Sequence, residues 1–149
     1  MAETSEVERA ERIGRSRARL FALQALLFLT WQGLFLSEGG EAAIRTVDAV
    51  KVSAWLVWTL ALLALIATGG GLMRPKAVRA LLNDELTRAN RAQAYRAGFW
   101  AASVCGVGLY ILSLIEPLGG REAVHFMLSA AIGSALITFA VGERRARAG

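Results

Sequence analysis

The chain has 149 residues, 55% of them hydrophobic and 19% charged, with a formal net charge of +5. This balance excludes a disordered chain, which needs low hydrophobicity and high charge. One Cys and one His exclude an internal disulfide framework and a zinc cluster.

In chain order, residues 1–19 form an N-terminal segment rich in Glu and Arg, expected as a frayed or surface helix. Four apolar blocks follow at 20–36, 52–68, 97–115 and 123–141, none containing Asp, Glu, Lys or Arg. Runs of about 17–25 such residues read as membrane-spanning helices. Four of them leave little polar surface to coat a soluble core. Backbone groups in hydrocarbon must be paired within the segment, so the blocks are helices. Block one follows a basic segment, as a signal peptide would. It is longer than an ordinary signal core, and Leu36-Ser37-Glu38 is a poor cleavage site, so it is expected to be retained.

Gly39-Gly40, Gly69-Gly70-Gly71 and Pro117 with Gly119-Gly120 separate the blocks, as helix stop signals do. Lys and Arg divide 14 to 3 between the two sets of flanks, with Arg45, Lys51 and Arg121 forming the smaller set. Positive residues stay inside. This puts both termini, the 69–96 connection and the basic tail 142–149 in the cytoplasm of a bacterial inner membrane. The inner flanks then carry +7 and the outer −2. Such an inner face suits anionic lipid headgroups. With no nucleic-acid motif and no aromatic interleaving, it calls for no nucleic acid. Trp31, Trp55, Trp58 and Trp100 fall toward the block ends, as interfacial aromatic belts do.

Residues 75–95 predict an amphipathic cytoplasmic helix starting at Pro75. Val78, Leu81, Leu82, Leu86, Ala89 and Ala92 share its apolar face. Arg79, Asn83, Asp84, Thr87, Asn90 and Arg91 share the polar one. Arg88 can pair with Asp84 or Glu85. Glu85 falls inside the apolar face, where it either pairs with Arg96 or another segment or reaches solvent. A helix over 75–95 is about 31 Å long, while the six-residue link before it reaches at most about 21 Å. The expectation is a helix lying along the inner surface and bending near Gly98 into span three.

Asn83-Asp84-Glu85-Leu86-Thr87-Arg88, followed by Ala94-Tyr95-Arg96-Ala97-Gly98-Phe99-Trp100, resembles the loop of small bacterial and archaeal multi-span membrane proteins of uncharacterised function. Some of those are encoded beside small helix-turn-helix repressors. The resemblance covers about 20 residues, and Leu86 stands where those loops carry a basic residue. It implies a membrane regulatory or sensing role and marks Asp84, Glu85 and Arg88 as partner-binding candidates.

The spans carry little else that points to chemistry. None holds the carboxylate of a proton-coupled exporter. Cys105 has no second Cys for quinone-linked disulfide chemistry, and His125 has no second His for a di-haem centre. Asp48 and Asp84 are too isolated for a head-group transferase. Gly69-Gly70-Gly71 lacks the Lys of a phosphate loop and reads as a hinge. His125, near the outer surface, either senses external pH or ligand or is an interfacial side chain. Gly98, Ala102 and Gly106 on span three, and Ser129–Gly133 and Ala130–Ser134 on span four, form small-residue stripes for helix packing or for joining copies.

The sequence therefore predicts an all-α polytopic protein with four transmembrane helices over 20–141 plus the cytoplasmic helix. No catalytic, cofactor or metal residue is expected. The favoured function is a non-enzymatic scaffold or regulatory protein acting through the helix around Asp84, Glu85 and Arg88 on a membrane or cytoplasmic partner. A small oligomeric transporter or channel lined by Gln24, Gln32 and Thr59 is the second reading. An accessory subunit of a membrane enzyme is the third.

Overall fold

The computed structural model describes residues 16–32, 46–70 and 85–146, the side chains of 46–49 and 51 excepted. Those residues form an all-α arrangement of four helices: α1 (16–32), α2 (Thr46–Thr68), α3 (Glu85–Ser113) and α4 (Gly120–Arg145). The Gly39-Gly40 break, the helix start at Pro75, Asp84 and most of segment 1–19 lie outside the described residues.

Two of these helices, α3 and α4, are long and apolar enough to cross a membrane, and Val52–Thr68 of α2 is a shorter apolar stretch. Successive helices run in opposite directions. Arg17 meets Glu143 at one end of α1 and α4, and Phe21 stacks on Phe139 one turn further along. Trp58 packs edge-on against Phe28 and Trp31, which aligns α2 with α1. Asn90 reaches Glu143, and Gly98 faces Ala131, which aligns α3 with α4. The core is the shared stripe of α1, α2 and α4: Phe21, Phe28, Leu62, Ile66, Ile132, Leu136 and Phe139.

Each helix ends for a local reason. Thr68 is followed by Gly69 and Gly70 at φ 58° and 77°, a left-handed backbone that glycine adopts without steric penalty. Gly70 N–H donates to the Leu65 carbonyl and Gly69 N–H to that of Ile66, so the last carbonyls of α2 are satisfied. The pair forms a closed cap, and a side chain on buried Gly69 would touch Arg17. α3 stops four residues before Pro117, and α4 starts behind Gly119 in an extended conformation. Glu122 in the first turn of α4 and Arg144 and Arg145 in its last suit the helix dipole.

Three expectations need correction. Helix starts precede the apolar blocks: α2 begins at Thr46, α3 at Glu85 and α4 at Gly120, because polar flanks continue the helices ahead of those blocks. The helix does not break at Gly98. α3 is one helix from Glu85 to Ser113, so 85–95 is the first third of that helix and not a separate element. Gly98 serves instead as a contact, since a Cβ there would stand 2.9 Å from the Ala131 carbonyl oxygen.

The third correction concerns the amphipathic faces. Of the expected polar face, the described residues turn inward: Thr87 is 8% exposed, and Asn90 and Arg91 are half-buried. The apolar face turns outward, with Leu86 57% exposed and Ala89 and Ala92 exposed. The reason is the partner surface, which at this level is the polar rim of the other three helices.

Candidate functional site

Every helix contributes to one polar node. Arg17 opens the core stripe of α1, four residues before Phe21 and eleven before Phe28, which all share a face. Glu143 closes the stripe of α4 in the same way, after Ile132, Leu136 and Phe139. Their side chains meet with Arg17 Nη2 3.9 Å from Glu143 Oε1 and are only 6% and 9% exposed. The Arg17 guanidinium also lies 5.7 Å from the centre of the Phe139 ring, within cation–π range.

α3 joins through three neighbouring side chains. Asn90 Nδ2 donates to Glu143 Oε1 at 3.3 Å. It can do so because residue 142 is glycine: a Cβ there would stand 2.6 Å from Asn90 Oδ1. Arg91 Nη1 donates to the Ala67 carbonyl at 3.0 Å, which ties α3 to the end of α2. Thr87 closes the gap, its methyl 3.4 Å from where a Gly69 Cβ would stand. The node thus holds a buried pair of opposite charges with hydrogen-bonding neighbours. Attraction in such a setting is strong, but so is the penalty for separating the charges. Its chemistry is that of a clamp between helix ends.

Comparison with family models, with curated proteins and with solved structures finds no match.

None of the described residues singled out from sequence as site candidates forms this node. Glu85 and Arg88 are exposed in the first turn of α3; Asp84 lies outside the described residues. Glu85 and Arg96 are eleven residues apart on one straight helix, about 16 Å along its axis, so the expected pair between them is not formed. Gly98 is buried, while Ala102, Gly106, Ala130 and Ser134 are half-buried. Gly98 packs on Ala131 and Ala135, and Gly106 on Met127. Ser134 donates to the carbonyl of Ala130 in its own helix and lies 3.4 Å from the Ala97 carbonyl of α3.

Arg17, Glu143 and Asn90 were the residues that block-by-block reading missed. Defining spans by absence of charge pushes Arg17 and Glu143 into the flanks. Their helical register was the available signal, because each continues an apolar stripe by one further turn.

At the opposite end the core finishes in polar side chains. Trp55 of α2 lies over His125 of α4, ring centres 4.8 Å apart. Trp58 Nε1 donates to Gln24 Oε1 at 3.4 Å. Gln32 and Thr59 are buried at the same end. Cys105 is half-buried on α3.

Proposed function

We propose that the chain is a four-span inner-membrane protein with both termini and the 69–96 connection in the cytoplasm. It acts without catalysis of its own, as a regulatory or scaffold protein that offers the start of α3, at Asp84, Glu85 and Arg88, to a partner. Arg17 and Glu143 then mark the inner end of the bundle, and Gln32 and His125 the outer end.

The membrane part of this reading is supported by the inverted faces. With hydrocarbon outside, polar groups gather between helices and apolar side chains face outward. Leu23, Leu26, Leu60, Val104, Val107, Ile111 and Ile115 are all exposed, a pattern that lipid accommodates and water does not.

The regulatory part rests on one observation: α3 is unbroken from Glu85 into its apolar half, and its first turns are tied to the end of α2 and the end of α4 at the node. Only 6% of its most apolar stretch is buried, against 44% for α4, so most of that stretch faces outward from the seam with α4. A partner seated on Glu85 and Arg88 would therefore act on a span directly. The resemblance of the 83–100 stretch to loops of multi-span proteins encoded beside repressors points the same way. The buried polar groups Gln32 and Thr59 favour the second reading, a small transporter or channel.

The test begins with topology. In a Cys105→Ser background, a membrane-impermeant maleimide applied outside cells should label Arg45→Cys and spare Glu85→Cys. Labelling of both from outside refutes the layout. A crosslink from Glu85→Cys to a cytoplasmic partner should then be lost on Arg88→Glu, and an unchanged crosslink refutes the role of this end of α3.

A further inference from the structure

Gln32 is 4% exposed and Thr59 4% exposed. Among the described residues, neither Gln32 Oε1 and Nε2 nor Thr59 Oγ1 has a hydrogen-bond partner, and the same holds for the buried Trp55 Nε1. Thr68, Ser103, Ser129 and Ser134 each donate to the carbonyl four residues back, which is the ordinary solution in a helix. Thr59 is placed as they are and forms no such bond.

Register brings Gln32 to the level of Trp55, with Thr59 one turn further in. Trp58 lies against Phe28 and Trp31, so Gln32, one turn beyond Phe28 on the same face, belongs with the α2 turn just before Trp58. That turn carries Trp55, and Thr59 is its neighbour four residues on. Trp55 in turn lies over His125. The last two turns of the core thus hold donors and acceptors from three helices, and Gln32, Trp55 and Thr59 among the described residues carry no charge. Buried polar groups in native structures are hydrogen-bonded to protein or to small molecules. An uncharged set of this kind offers no countercharge to a free ion.

We infer that the layer formed by Gln32, Trp55 and Thr59 is a binding site for small uncharged hydrogen-bonding molecules, water or a small amide or alcohol, reached from the outer aqueous phase. The direction of access rests on the four-span layout proposed above; the site itself does not. Gln32 supplies both a donor and an acceptor, Thr59 a hydroxyl that does either, and Trp55 a donor.

The experiment measures thiol modification by methyl methanethiosulfonate, a small uncharged reagent, in Cys105→Ser protein. Thiols react as thiolates, which form where water reaches the sulfur. Thr59→Cys should therefore be modified roughly tenfold faster or more than Leu62→Cys, equally buried three residues further in. Gln32→Cys, on the other helix, should match Thr59→Cys and guards against a single misfolded variant. Added formamide separates the two sources. A slower rate at Thr59→Cys, with free thiol unaffected, identifies an amide guest; an unchanged fast rate identifies water. Equal slow rates at Thr59→Cys, Gln32→Cys and Leu62→Cys overturn the site, as do equal fast rates at all three. Failure of the maleimide topology test beside fast modification of Thr59→Cys would remove the layout and leave the site standing.

Discussion

Gly98 lies so close to Ala131 that a Cβ on Gly98 would stand 2.9 Å from the Ala131 carbonyl oxygen. The obstacle is backbone, so a side chain can be accommodated only if α3 and α4 separate. Gly108, ten residues on, has nothing within 4 Å of the same position.

The two glycines should therefore answer oppositely to alanine. Gly98→Ala gains helix propensity but overpacks the seam, and a net loss of about 1–2 kcal/mol is expected. Gly108→Ala keeps only the propensity gain, about 0.5–1 kcal/mol. Reversible unfolding in mixed micelles separates the two. If both variants are stabilised, the seam at Gly98 is not in contact.

The Arg17–Glu143 pair makes a second prediction. Removing one buried charge strands the other, at about 3–5 kcal/mol. Arg17→Met and Glu143→Leu should each destabilise by about that much, and the double variant by much less than their sum. Gly142→Ala is a milder probe. It displaces the Asn90 amide from Glu143, worth about 1.5–3 kcal/mol for a bond to a charged group, and should have little effect once Asn90→Ala has removed that bond. Additive losses across the Arg17 and Glu143 variants would show that the two side chains do not interact.

Much of the fold was legible because helix interiors are written in apolar blocks. The described helices cover most of the four blocks, and Gly69 and Gly70 end α2 where a glycine stop was expected. What was not legible has one physical source. Deciding which face of 85–95 is buried requires knowing the surface it meets. Isolated in water, Leu86 belongs inside; beside Arg17, Gly69 and Glu143, Thr87 and Asn90 do. The node escaped for the same reason, since Arg17 and Glu143 are 126 positions apart in sequence and only antiparallel packing of α1 on α4 joins them. Glu85 and Arg88 could be singled out from local composition, but nothing local reveals the clamp behind them.

The inverted face can be probed directly. Thr87 is packed against Gly69, so Thr87→Leu should overpack and destabilise by about 1–3 kcal/mol. Leu86, turned outward, should tolerate Leu86→Ala within about 0.5 kcal/mol. The arrangement expected from amphipathicity alone gives the reverse order. Unfolding of the two variants under identical micelle conditions decides between them.

Gly69 closes α2 at φ 58° and sits with Arg17 Nη2 3.2 Å from the position of a Cβ. Two penalties should follow from Gly69→Ala. The left-handed backbone disfavours any Cβ by about 1–2 kcal/mol, whatever surrounds it. The contact with Arg17 adds to this, because the guanidinium must shift away from Glu143. Introduced into the Arg17→Met, Glu143→Leu double variant, Gly69→Ala should retain the backbone part and lose the contact part. Its cost there is expected to fall to about 1–2 kcal/mol, below its cost in the native chain. Equal costs in both backgrounds would mean that the α2 cap is not pressed against the ion pair, and that α2 is tied to the node through Arg91 and the Ala67 carbonyl alone.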